Sequence, residues 1–140
     1  MEPLNRAAGW LNKSLTTPLV GWVALLGLCA PYIQGGVDKS LNYGSAVQEM
    51  RSFGIPAPGL VAVAVIITEL AGSLLVVTGI YRWCGAVLLA GFTVFANLIA
   101  NQFWNAPPFA REMMENGFFE HLGLVGGFVY VAWHDMRMRR

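Results

Sequence analysis

Eight side chains in this sequence combine proton-exchange or hydrogen-bonding chemistry with an apolar setting. Glu69 and His121 are candidate proton-exchanging groups; Asn97, Asn101, Lys39, Glu120, Gln34 and Trp104 are candidate ligand-binding groups. Glu69 poses the sharpest question, because it is the single charged residue in the run from Gly59 to Ile80. About twenty apolar residues at about 1.5 Å each match the roughly 30 Å hydrocarbon core of a bilayer, which places the acid near half depth. A carboxylate facing lipid there costs several kcal/mol, so Glu69 is predicted to face protein or a polar cavity, either neutral or paired.

The other candidates carry plainer readings beside the functional one. Asn97 and Asn101, at i and i+4, can act as hydrogen-bonding glue between helices, and His121 can be a packed, satisfied histidine. Lys39, Asp38 and Glu120 lie near predicted span ends, where snorkelling or solvation explains a charge. No metal site is predicted: the histidines and carboxylates lack ligand spacing, and His134 falls at the opposite end of its helix. Cys29 and Cys84 form no CxxC pair and are read as packing residues.

The elements that position these groups are written in the composition. Hydrophobic residues make up 56% of the 140-residue chain and charged residues 12%, far from a soluble balance. The net charge of +1, with no basic cluster interleaved with aromatics, gives no nucleic-acid surface. The fold class predicted is an all-α integral membrane four-helix bundle with a short amphipathic interfacial helix between spans one and two.

Residues 1–17 carry Arg6 and Lys13 among Leu4, Trp10, Leu11 and Leu15, as a segment lying on the membrane surface would. A secretory signal fits poorly, because the apolar run from Pro18 continues to about Val37, longer than such a signal's core; it is read as span one. Tyr43, Ala46, Val47 and Met50 recur at helical spacing opposite Ser45, Gln48, Glu49 and Arg51, a short amphipathic helix that Gly54 and Pro56 end. Span two runs from Gly59 to Gly79, a Tyr81-Arg82 turn follows, and span three covers Trp83 to about Asn101. A loop from Gln102 to Glu115 leads to span four, about Asn116 to Trp133. The membrane domain is thus 18–134, followed by a basic tail, 135–140.

Four spans put both termini on one side. Arg6, Lys13, Arg82, Arg137, Arg139 and Arg140 share that side, against Lys39, Arg51 and Arg111 on the other, which predicts cytoplasmic termini in an inner membrane. Glu69 then lies about 16 Å below the outer end of span two, and the intramembrane polar residues gather in the outer half as a pocket.

Several segments together resemble the DoxX family of small four-span membrane proteins. Gly36-Val37-Asp38-Lys39 is similar to its Gly-x-Gly-Lys, and Met50 through Gly54-Ile55-Pro56 to its Met-x-x-x-Gly-x-Pro. Glu69-Leu70-Ala71-Gly72 resembles its Glu followed by small residues, and Gly79-Ile80-Tyr81-Arg82 its Gly-x-x-x-Arg-like turn. Asn101-Gln102-Phe103-Trp104 is similar to a His-x-Phe-Trp, and Phe119-Glu120-His121-Leu122 with Gly126-Gly127 to a Phe-x-Lys-Asn-Leu with a Gly-Gly. The resemblance covers about residues 20–132. Asp38 stands for a usual Gly, Asn101 for a usual His, and Glu120-His121 for a usual Lys-Asn. An exchange of identities would let Asn101 and His121 share a hydrogen bond across spans three and four.

The resemblance implies membrane redox work: the family's namesake is similar to a subunit of a thiosulfate:quinone oxidoreductase. The chain carries no flavin, haem or iron–sulfur motif, so no intrinsic cofactor is expected and a quinone is the expected redox partner. The reading is a quinone-interacting or accessory subunit, beside a membrane or peripheral oxidoreductase subunit or in a homo-oligomer. Its alternatives are a non-catalytic assembly or interaction protein and a small-molecule transporter.

Overall fold

The computed structural model describes residues 17–139, and every regular element among them is helical. The helices are α1 (Pro18–Leu41), α2 (Tyr43–Ser52), α3 (Pro58–Thr78), α4 (Arg82–Ala100) and α5 (Pro108–Met138), with a 3₁₀ turn at Phe103–Asn105. Proline opens α1, α3 and α5, where its missing N–H would have had no partner in the helix. The surface segment predicted before Thr17 lies outside the described residues.

The apolar residues face outward all round: Leu19, Leu60, Leu74 and Phe95 are each more than 60% exposed. Such a surface belongs in lipid, and this is a membrane protein. Three helices, α1, α3 and the segment from Arg82 to Asn105, are long and apolar enough to cross a bilayer. Helix α5 has the length but falls below that apolar level, because Glu120, His121 and several glycines dilute its stretch past Asn116.

Packing runs in the order α1, α3, α4, α5, with only slight contact between α1 and α5; α2 packs on the first turns of α3. Glycine sets the close approaches. A Cβ at Gly85 would lie 2.7 Å from the Gly72 carbonyl oxygen and from the Leu75 Cβ, so α3 and α4 touch backbone to backbone near their connecting turn. The core there comprises Cys29, Tyr32, Val76, Ala86, Leu89, Ala90, Phe128 and Ala132. A second cluster, Ala46, Met50 and Ala62, fastens α2 to α3, with Ala46 and Met50 supplied by the face predicted to be apolar.

Two boundaries differ from the sequence reading. Residues 108–115, expected as loop, form the first turns of α5, because Pro108 starts a helix whose Arg111, Glu112 and Glu115 point into solvent. At 31 residues α5 is about 46 Å long, and it overruns α4 by several turns. It also continues through Asp135–Met138, assigned from sequence to a tail. The α3–α4 connection is Gly79–Tyr81, with Gly79 in the left-handed conformation (φ 80°) that ends α3. Arg82 begins α4 and donates from Nε to the Val76 carbonyl at 2.9 Å, satisfying an end of α3. Asp135 accepts from the Trp83 amide (3.3 Å) and pairs with Arg139 (3.0 Å), so the end of α5 is tied to the start of α4.

Candidate functional site

Lys39 and Glu69 form the centre of the site. Lys39 is in the last turn of α1, yet its side chain runs back toward the helix middle, and Nζ reaches Glu69 Oε1 at 3.2 Å and Oε2 at 3.3 Å. Helical side chains lean toward their N-terminus, which makes that reach easy from α1. The predicted snorkelling of Lys39 away from the apolar interior is therefore corrected: a buried carboxylate attracts it inward. Glu69 is 6% exposed, turned into the protein.

Gly35 makes the pairing possible. A Cβ there would sit 3.2 Å from Lys39 Nζ and 3.4 Å from each Glu69 oxygen, so the bare backbone leaves room for both charges. At Gly36 a Cβ would lie 2.7 Å from Leu70, which holds α1 close to α3 beside the acid. Glu69 is about 16 Å from the start of α3, but Gly35 is only about 9 Å from the end of α1. Helix α3 projects past α1, and α2 covers the projecting turns.

The pair opens on a cavity of about 250 Å³ between the four long helices and α2. Its remaining walls are largely apolar, with Met50, Phe53 and Ile55 at the α2 end, Val61 and Val65 from α3, and Phe92, Phe95, Ala96 and Ile99 from α4. His121 of α5 also lines it. Its Nδ1 lies 2.6 Å from the Gly117 carbonyl, and a carbonyl only accepts, so Nδ1 donates there; in the neutral form of the ring Nε2 is left as an acceptor. Deeper along α1, the hydroxyls of Tyr32 and Thr93 hydrogen-bond to each other. Thr93 donates to the Leu89 carbonyl at 2.6 Å, so Tyr32 is the donor in that pair and keeps lone pairs available toward the cavity.

Of the predicted residues, Glu69, Lys39 and His121 therefore line one cavity. Asn97 and Asn101 do not. Asn97 is buried and donates to the Phe118 carbonyl (3.0 Å), and Asn101 donates to Asn97 (2.9 Å), a chain that joins α4 to the backbone of α5. The predicted Asn101–His121 hydrogen bond is not formed, since each finds its partner elsewhere. Gln34 is exposed on α1, and Glu120, exposed on α5, lines with Asn101, Glu112 and Asn116 a separate, more open pocket. Trp104 is 48% exposed and stacks edge-on with Phe103 and Phe118 at the α2 end of the bundle.

Residues 21–102 match the DoxX family. The chain belongs to the DoxX family. It is also similar to the inner membrane protein YphA of Escherichia coli (strain K12), 25% identical over 115 residues that span 82% of each protein. No solved structure matches it. In this DoxX protein the Gly36 to Lys39 segment and the Glu69 to Gly72 segment meet at one place, the α1–α3 contact that holds the ion pair. Gly35, Tyr32 and Thr93 are not among the residues singled out from sequence, and Met50 and Ile55, which are, were not placed in a site. Tyr32 and Thr93 were legible only as isolated hydroxyls in apolar runs, and Gly35 as the first of two adjacent glycines four residues before a lysine.

Proposed function

We propose that this DoxX protein is a four-span inner-membrane protein that binds a quinone in the cavity beside Lys39 and Glu69, as a quinone-interacting or accessory subunit of a membrane redox system. The observation that carries the reading is a charged pair set, with Glu49, His121 and the Tyr32 and Thr93 hydroxyls, in a cavity whose other walls are apolar and partly aromatic. An ammonium can donate to a quinone carbonyl, a carboxyl can accept from a hydroquinone hydroxyl or take its proton, and His121 Nε2 offers a second acceptor. Phe92 supplies a face against which a flat ring packs. The chain's residues would hold and orient the ring and exchange protons, while the electrons come from a partner protein.

The fourth span is α5, which runs back alongside α4 to the turn that joins α3 and α4. With the arginine-rich ends in the cytoplasm, α2 and the cavity lie on the outer side, α2 resting at the interface. The name of the inner-membrane relative supports the same membrane.

The test is titration of a tailless benzoquinone into purified protein in nanodiscs, read by tryptophan quenching. We expect saturable binding, weakened at least about tenfold by Glu69→Gln and by Lys39→Met. Unchanged binding in both variants overturns the reading. Absence of binding together with a stoichiometric co-purifying protein, lost on Glu69→Ala, would make the chain an assembly protein instead.

A further inference from the structure

The hairpin of α3 and α4 is shaped like a wedge. At its closed end the backbones touch at Gly72 and Gly85. Toward the α2 end the facing residues, Val61 and Val65 on α3 and Phe92, Ala96 and Ile99 on α4, line the cavity instead. Two further lining residues mark where the wedge ends. Phe95 is 65% exposed and Phe53, just beyond α2, is 38% exposed, so each contributes both to the cavity wall and to the outer surface of the bundle. On α4 that outer surface also carries Val94 and Leu98, both exposed and apolar, as a face toward acyl chains is. The cavity therefore has a polar pole at Lys39 and Glu69 and, on the α3–α4 side, a mouth bounded by the rings of Phe95 and Phe53; Pro31 of α1 and Glu49 of α2, which are also exposed lining residues, mark where the rim meets the surface elsewhere.

We infer that the occupant is a tailed amphiphile whose flat, hydrogen-bonding head lies against Lys39 and Glu69 and whose hydrocarbon tail leaves between α3 and α4, past Phe95 and Phe53, into the bilayer. The inference rests on the proposed quinone site and adds the class of quinone and the position of its tail. Both ends are complementary: a buried ion pair gains from a head that donates and accepts, and an apolar slot open to lipid accepts a chain that has no polar group to satisfy. Ala96 is the side chain whose size keeps that slot free.

Two arms test it. The first compares a tailless benzoquinone with the same ring carrying a ten-carbon tail, in nanodiscs, for the native protein and for Ala96→Phe. The expected result is a loss for the tailed ring at least tenfold greater than the loss for the tailless one. Equal losses for the two rings overturn the inference while leaving the head site standing. The second arm needs no variant and stays informative if Ala96→Phe fails to fold. The tailed ring carries a diazirine at its tail end, and cross-linked peptides are mapped by mass spectrometry. Labels around Phe95 to Ile99 and Phe53 to Ile55 support the inference. Labels around Pro31 on α1 or Leu124 on α5, on the opposite side of the cavity, overturn it. If neither ring binds, the quinone site itself falls and the tail position with it.

Discussion

Lys39 turns back along its own helix to reach Glu69, and the energetics of that pair decide how the site responds to substitution. Lys39 keeps 20% of its side-chain surface exposed and Glu69 8%. Removing either partner strands a charge, so Lys39→Met or Glu69→Leu alone should cost about 2–3 kcal/mol, below the about 3–5 kcal/mol of a fully buried pair. The double substitution should recover to within about 1 kcal/mol of the native protein, because two apolar side chains need no partner. Denaturant unfolding in detergent micelles measures all three. Gly35→Ala should weaken quinone titration, since its methyl group lands on the pair. Gly91→Ala, where a Cβ meets nothing within 4 Å, should leave binding intact and raise stability by about 0.5 kcal/mol. The acid itself was legible in the sequence, because a lone carboxyl in about twenty apolar residues has few places to go. The identity of its partner was not. Lys39 sits near a helix end, where solvation is the ordinary explanation, and only the register of α1 against α3 turns the lysine inward.

Among the elements, α2 acts as a cover whose fastening is specific. Ala46 and Met50 pack on Ala62, and the Tyr43 hydroxyl donates to the Gly59 carbonyl at 3.0 Å. Tyr43→Phe should therefore speed amide exchange across α2 while leaving α4 unchanged, a loss of no more than about 1 kcal/mol for one exposed hydrogen bond. Ala57, which precedes α3, holds φ at 52°, a left-handed conformation that costs a Cβ-bearing residue. Ala57→Gly should raise thermal stability by about 0.5–1 kcal/mol, read as a higher midpoint of unfolding. Periodicity and proline placement made α1 to α4 readable to within a turn or so at most ends. The start of α5 was missed because Pro107-Pro108 and three charges read equally well as a loop. Pro108 at the first helical position starts it, and the packing of Phe103 and Trp104 on Phe118 holds the preceding 3₁₀ turn against α5.

At the scale of the whole molecule, the ends are stitched at one face and covered at the other. Asp135, Arg139, Gly79 and Trp83 join the α3–α4 turn to the end of α5, and α2 with Phe103 and Trp104 occupies the opposite end. In the proposed orientation and in a Cys84→Ala background, a cysteine replacing Tyr81 should react with a membrane-impermeant maleimide only in inside-out vesicles, and one replacing Asn105 only in right-side-out spheroplasts. Reaction of both from the same side would remove the single crossing by α4 between them. Native Cys29, which is wholly buried, should stay unlabelled in either preparation.

The inward pairing of Lys39 with Glu69 has an electrical corollary. A plus and a minus charge 3.2 Å apart form a dipole with no net charge, so the transmembrane voltage pulls the resting site neither way. Adding or withdrawing one proton breaks that balance, and a full charge crossing the membrane is worth about 2.3 kcal/mol per 100 mV. Loading of an uncharged ligand would thus be blind to membrane potential, and the protonation step alone would feel the field.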